Sequence, residues 1–510
     1  MTNNGDAVEI NIEEMLKGAW APVTTECCIY KVPFSIRRHN EEAYTPKVVS
    51  IGPFHHGHPH LQDMEKHKLF YSMAFLKRTQ ATVGSLIGNI QEMEPEFRRC
   101  YSHTLEFSNE QLVKIIFVDC AFILELFCRV HDQLLKEDDD MCLSKPWLSN
   151  NIMYDLLLLE NQVPFFVLER LFNLSFSSPS FLALTFHFFQ QFNRSGLNFN
   201  NINRIMHFTD LIRTFHLQDP LPSRIDGNII EHLPSVTELS EAGLKFKVLE
   251  SESCLLKLDF SGEVLEIPQL VVDDRTETLF RNMMALEQCH YPFQSYITDY
   301  VDFLDFLVNT NRDVDILVRE RVFLNWLGNT DCVATMINGL MKNITISNNI
   351  SSQYLDVSEK LNAFHENPWH KLKSTLRRDY CRGPWQTAAS TAAALSQRPA
   401  DFLVNTNRDV DILVQERVFI NWLGDTDSVA TMINGLMKNI TTPINTSSQY
   451  LDVSEKLNAF HKNPWRKLKS ALRRDYCRGP WQTAASTAAV ILLILSFVQT
   501  VCSILQVIHQ

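Results

Sequence analysis

Apolar and polar positions alternate along this chain with several distinct periods. Residues 111–135, QLVKIIFVDCAFILELFCRVHDQLL, are apolar on nearly every side, yet Lys114, Asp119, Glu125 and Arg129 interrupt them. That pattern predicts a core helix, not a membrane span, with Glu125 and Arg129 spaced as an i,i+4 pair. An earlier helical pattern begins near Leu61 and runs through MEKHKLFYSMAFLKR. Residues 26–60 carry Pro33, Pro46, Gly52, Pro53, Gly57 and Pro59 and read as turns and short extended pieces. Residues 151–172 predict two helical pieces meeting at Pro164, because proline removes a backbone donor and clashes inside a helix. The Ser-, Asn- and Phe-rich stretch 173–203 reads as mobile or insertion-prone. Between 244 and 272 the period shortens to strand-like runs, LKFKV, LLKLDF, VLEIP and QLVV, with Ser261-Gly262 as a hairpin turn. Helical periodicity resumes at Thr276 and holds, with breaks, to the end. The expected fold is mainly α with a small β element (α+β), and strands that do not alternate with helices argue against a Rossmann or barrel arrangement.

Residues 305–393 recur at 401–489 with no gap, 78 of the 89 aligned positions being identical. The first copy runs into Arg398 and Pro399, whereas the second continues apolar to Ile508. Thr487 to Ile508 contains no charge, and 22 helical residues at about 1.5 Å each span roughly 33 Å, enough for a bilayer core. Arg466, Lys467, Lys469, Arg473, Arg474 and Arg478 precede it with Asp475 the one acid among them, which places that flank in the cytosol. The start, MTNNGDAVEINIEEMLKG, has neither the basic lead nor the apolar core of a signal peptide. The expected organisation is a flexible N-terminus (1–25), a body with its β element near 244–272 (26–304), and repeat copy one (305–393). A linker (394–400), copy two (401–486) and one transmembrane helix (487–508) follow. Copy one, continuous with the body, is expected to dock on it, with copy two the looser, membrane-proximal element.

Composition modifies this little. Hydrophobic residues are 45% and charged residues 21%, ordinary for a chain with a substantial core. A net charge of −12 argues against a nucleic-acid surface, and the basic flank suits anionic lipid heads. The 12 cysteines include the close pair Cys27-Cys28 but no CxxC, so reduced thiols are expected. N-x-S/T sequons at Asn173, Asn193, Asn343, Asn349, Asn439 and Asn445 keep the opposite topology open.

Candidate chemistry is sparse. His55, His56, His58, His60 and His67, with Asp63 or Glu65, offer zinc-type ligands, but the two prolines and two glycines of the stretch 52–68 hide any geometry. The preferred reading is a histidine-rich loop packed on the first helix, with no metal. HENPWH at 365–370 has one residue too many for a zinc-protease helix, and the second copy, HKNPWR, loses Glu366 and His370. Asp119, Glu125, Glu160 and Glu169 are acids in very apolar surroundings, expected to cap helices or to pair with bases such as Arg129 and Arg170. No P-loop, GxSxG, HExxH or paired CxxC occurs. No catalytic, cofactor-binding or metal residue is nominated, and no cofactor is expected.

The pieces CCIYKVP at 27–33, PKVVSIGPFHHGHPHLQDMEKHK at 46–68, VDCAFILELF at 118–127 and DLLLLENQVPFFVLERLF at 155–172 resemble the plant domain-of-unknown-function 247 family. So do LSEAGLKFK at 239–247, the run from Leu258 to His290, and the ending NPW…LRRDYCRGPW before an apolar segment. The resemblance implies a land-plant protein, single-pass at its C-terminus and without established enzymatic activity. Relatives in grasses implicated in self-incompatibility imply a recognition role for part of the family. A second C-terminal block departs from the family pattern. The reading is a membrane-anchored interaction protein that is not an enzyme. It touches membrane lipid through its last helix and a protein partner through its body. It sits in the plasma membrane or an endomembrane with the body cytosolic. The alternatives are a metal-dependent or acid/base hydrolase using the histidine-rich loop, and a duplicated, poorly functional variant or gene-model join.

Overall fold

Ser108 starts α3 (Asn109–His131) through a capping box: its side chain accepts from Gln111 N–H while the Gln111 side chain accepts from Ser108 N–H. Fourteen of its residues, Leu112 to Cys128, are buried, so α3 runs through the middle of the core. The computed structural model describes residues 26–132, 140, 142–199, 202, 204–218, 220–249 and 254–370, with single positions 410, 452 and 456. Around α3 pack α1 (Gln62–Arg78), α2 (Val83–Arg99), α5 (Phe165–Ser175) and α6 (Phe181–Phe188). The helix α4 (Pro146–Asp155) precedes α5. The break falls where expected, but it spans 156–164, and Pro164 caps α5.

The second half is built on α9 (Thr276–His290), which contacts α7 (Phe208–His216), α10 (Tyr296–Leu307) and α12 (Thr330–Leu340). Helices α8 (Val236–Ala242), α11 (Asn311–Arg319) and α13 (Ser352–Glu366) complete it. Capping boxes at Ser235/Glu238 and Thr310/Asp313 open α8 and α11. One hydrophobic cluster runs through both halves, from Ile29 and Phe122 to Leu317 and Leu361.

Three small sheets are present among the described residues. Strands β3 (Asp259–Ser261) and β4 (Val264–Ile267) form the expected hairpin, with Gly262 at φ +61 in the turn. Strand β2 (Lys245–Val248) joins β4 in parallel. Strand β5 (Leu270–Val272) pairs in parallel with β6 (Phe323–Asn325), and β1 (Arg224–Asp226) pairs antiparallel with β7 (Asn349–Ser351). Fold class is thus mainly helical with small sheets, while β1, β6 and β7 lie in stretches with no legible two-residue period.

Strands β6 and β7 interrupt the helical periodicity expected from Thr276 onward, because partners at β5 and β1 pair with them. Within 173–203, the reading of a mobile or insertion-prone stretch misses α6 and the turn Gln190–Phe192. Phe181, Phe186, Phe189 and Phe192 are buried there, and Phe188 stacks on Phe127 with centroids 4.2 Å apart. Aromatic burial outweighs the polar Ser and Asn composition. The segments expected at 1–25, the linker 394–400, copy two (401–486) and the helix 487–508 lie outside the described residues, save positions 410, 452 and 456. Among the described residues no helix is long and apolar enough to cross a membrane.

The described part of repeat copy one is core. Val314, Leu317, Val322, Phe323, Val333, Tyr354 and Leu361 are at most 1% exposed. Deleting residues 305–400 therefore places copy two in the same register after Leu304. Its differences fall at exposed positions such as Arg319, Cys332 and Ile346, at half-buried Leu324, Ser347 and His370, which become Ile420, Pro443 and Arg466, or suit the site, as aspartate does at the Asn329 cap. The one fully buried difference among the described residues is Ile350, which is 4% exposed and becomes Thr446. The deletion chain is expected to fold with a loss of about 1–3 kcal/mol from that buried hydroxyl and lost methyl. Restoring Thr446→Ile in it should recover most of the loss in a denaturant titration. A deletion chain that fails to fold even with this reversal sinks the prediction.

Candidate functional site

The family motifs meet in space. The segment 46–58 carries backbone donors that no strand or helix satisfies, and the segment 155–162 brings side chains to them. Asp155 accepts from Lys47 N–H (2.9 Å), Val48 N–H (2.7 Å) and Val49 N–H (2.9 Å). Asn161 accepts from Ile51 N–H at 2.7 Å and donates to Val49 O and Asp155 O. Gln162 donates to Leu156 O and Leu158 O and accepts from Phe208 N–H. An apolar run containing Glu-Asn-Gln is thus the device by which a buried irregular loop gets its hydrogen bonds.

Two charge clusters flank this loop. Lys68, 0% exposed, donates to Asp119 Oδ1 (2.5 Å) and Ser50 O (2.9 Å) and pairs with Glu65 (2.6 Å). Asp119 Oδ2 accepts from Gly52 N–H at 2.7 Å. Burial pushes the Asp119 carboxyl up, against the pull of the Lys68 charge. Burial likewise takes Asp155 up to about 6, its backbone donors opposing. Glu160 accepts from Val32 N–H (2.8 Å) and pairs with Arg37 (2.7 Å) and His55 (3.4 Å). Burial would raise Glu160, but His55, Arg37 and the Val32 amide hold it below the ordinary carboxylate range.

The other candidates are placed as follows. Glu125 bonds Arg78 and Arg129, the predicted i,i+4 pair at 2.8 Å, and Arg129 reaches on to Asp140. Glu169 is exposed, contrary to its reading as an embedded acid, and Arg170 bonds Asn89 and Glu92 across to α2. The reason is phase: on α5, Val167, Leu168, Leu171 and Phe172 define the inner face, which leaves 169 and 170 outside. His56 packs edge-on to Phe107, His58 against His60, and His60 Nε2 contacts Pro46 O at 3.0 Å. His58 and His60 thus meet each other, while His55 and His56 turn to Glu160 and Phe107. His365 ends α13, which breaks at Asn367 before Pro368, and His370 Nδ1 lies 3.0 Å from Ala242 O. The nine described cysteines are free.

Sequence reading missed the cluster around α7 and α9. Arg213 bonds Glu287 at 3.0 Å and lies over the Tyr291 ring at 4.1 Å. Tyr291 donates to Asp210 at 2.8 Å, and Glu287 accepts from Ile297 N–H, Thr298 N–H and the Thr298 hydroxyl. Burial lowers His207 to about 4, so it is neutral beside Cys28 O at 3.0 Å. These groups bind elements far apart in sequence, from loop 26–58 to α9.

Helix α10 differs. Asp302 is 7% exposed, and burial, then the charges of Asp305 and Asp299, push it up to about 7. A carboxyl raised in the folded state keeps its proton longer folded than unfolded. Its contribution is therefore present at low pH and is lost as pH rises from the unfolded value through about 7. Asp302→Asn is expected to stabilise at pH 8 by on the order of 2–4 kcal/mol and to change little near pH 4. Urea titrations of both chains at the two pH values check this, and equal gains at both pH values contradict it.

The arrangement is a structural keystone built from the motif residues. Set against known proteins, the family described as DUF247, plant protein of unknown function, matches residues 29–396 and again 400–495. The chain belongs to this family. It is similar to UPF0481 protein At3g47200 of Arabidopsis thaliana, 30% identical over 399 residues, covering 72% of this chain and 83% of that one. Putative UPF0481 protein At3g02645 of Arabidopsis thaliana is 24% identical over 470 residues, covering 72% of this chain and 87% of that one. No solved structure matches.

Proposed function

We propose that the chain is a membrane-anchored recognition protein whose helical body docks a protein partner and catalyses no reaction. The observation that supports this reading is the outward face of α1, where Leu69, Phe70 and Met73 are 54%, 49% and 56% exposed. They lie between exposed Lys66 and Lys77 on the same face. Contiguous exposed apolar side chains rimmed by charge mark interaction sites. A partner with an apolar anchor ringed by acids fits this face. Membrane attachment rests on the uncharged run 487–508 and its basic flank, which also favour a cytosolic body. A hydrolase reading draws less support, because His55, Asp119, Glu125 and Glu160 face partners that hold the fold.

A photo-cross-linking residue at Met73, in the full chain expressed in plant membranes, tests the reading. The expected result is a discrete protein adduct that Leu69→Glu removes, with the body digested by protease in sealed microsomes. Loss of neither adduct nor yield in Leu69→Glu contradicts the docking face. Protease protection of the body contradicts the topology.

A further inference from the structure

We propose that a cavity between α4, α7 and α9 binds a small organic monocarboxylate, a ring-sized apolar body carrying one negative charge. The cavity measures about 240 Å³, near the lower end of the 300–1,000 Å³ typical of ligand pockets. That is roughly the share of eight water molecules in liquid, which suits one or two fused rings. Phe192, Leu255, Leu279 and Phe280 supply apolar wall, and such a surface gains more from an apolar ring than from water or a bare inorganic ion.

Charge selects the sign of the ligand. Arg194 and Arg275 both line the cavity, with Asp273 the one acid on its wall. The Asp273 carboxylate is engaged at the start of α9, where Oδ1 accepts from Arg275 N–H (3.0 Å), Thr276 N–H (3.0 Å) and the Thr276 hydroxyl (2.9 Å). Arg194 is fixed by donating to Gln269 O, and Arg275 by stacking over Tyr154 at 4.5 Å and bonding Asn151. Arg194 is the exposed guanidinium that a carboxylate can reach, while Arg275, held on Tyr154 and Asn151, adds its charge from behind the wall.

His216 lines the cavity, is 5% exposed, and its Nε2 has no hydrogen-bond partner among the described residues. Burial, aided by the Arg194 charge, lowers it to about 4, so the ring is neutral. Nε2 itself is shielded from the cavity space, so the neutral ring contributes wall and adds no charge.

The test uses the full chain in lipid nanodiscs, titrated by calorimetry with benzoate, 1-naphthoate, indole-3-acetate and the uncharged 1-naphthamide. Empty nanodiscs give the blank. At least one acid should bind at one site per chain, and for 1-naphthoate the amide should bind at least tenfold more weakly. Leu279→Trp, which fills the cavity, should abolish binding. Arg194→Ala, at an exposed position, should weaken it at least tenfold without altering the fold and so stands in should Leu279→Trp not fold. No saturable binding of any acid up to 1 mM overturns the proposal. So does equal binding of acid and amide, or binding that both variants leave intact. The outcome is independent of the α1 docking face, so that reading stands or falls separately.

Discussion

Lys68→Met is expected to destabilise the chain by about 3–5 kcal/mol, the cost of leaving a buried carboxylate without its cation. The site explains the size. Lys68 and Asp119 are 0% and 1% exposed, and Lys68 also holds Ser50 O and Glu65. The methionine fills the aliphatic volume of the lysine, so lost packing contributes little. Asp119, already raised by burial, then loses the one nearby charge that opposes that burial. A carboxyl raised in the folded state contributes stability at low pH that is lost as pH rises. The Lys68→Met defect should therefore shrink toward pH 4 and grow toward pH 8. Adding Asp119→Asn should recover much of the loss at pH 8, because asparagine can still accept from Gly52 N–H without a charge. A denaturant titration of the four chains of this cycle checks it. Additive losses would show that the pair is not coupled.

Gly52→Ala is expected to cost about 3–5 kcal/mol, from left-handed backbone and a backbone collision together. Gly52 has φ +73, and a Cβ there would stand 2.3 Å from Gln162 O and 3.1 Å from the Tyr101 hydroxyl oxygen. Gln162 O is fixed by the Tyr101 hydroxyl at 2.8 Å, so the obstacle is a backbone atom that cannot swing away. Gly57 provides the internal comparison. Its φ is +83, but a Cβ meets nothing within 4 Å. Gly57→Ala should cost only about 1 kcal/mol from backbone strain. Thermal melts of the two chains check the contrast, and equal shifts would remove the collision from the account.

Much of the fold was legible where spacing is local. The helices α1 and α3, the β3–β4 hairpin, the break before Pro164 and the Glu125–Arg129 pair all depend on residues a few positions apart. What was illegible depends on distant partners. Strand β6 forms only because β5, some 50 residues earlier, offers an edge, as in the pairing of Leu270 with Phe323. The Ser-, Asn- and Phe-rich stretch 173–203 read as mobile or insertion-prone, because nothing local says that Phe127 and Phe208 wait to pack on Phe189.

The same holds for the polar cluster. Glu160, Asn161 and Gln162 stand out in the sequence as polar residues inside an apolar run. The backbone N–H groups they accept from, at Val32, Ile51 and Phe208, lie 46 to 128 positions away. Lys68 gave no signal, since its neighbours Lys66 and His67 face outward or partly outward while Lys68 is buried. Burial of a lysine is decided by Asp119 across the α1–α3 interface, not by its own helix. The Arg213–Glu287 cluster was invisible for the same reason.

The central claim is that the motif side chains act as backbone partners for a buried irregular loop. Amide hydrogen exchange of the native full chain tests it most directly. Lys47, Val48, Val49, Ile51 and Gly52 lie outside any helix or strand, and their N–H groups donate to Asp155, Asn161 and Asp119. The account predicts that the buried amides of Val49, Ile51 and Gly52 exchange as slowly as those in the middle of α3, by global unfolding. It further predicts that Asn161→Ala releases Ile51 first. Exchange of these amides at the rate of an open loop, orders of magnitude faster than α3, would contradict it.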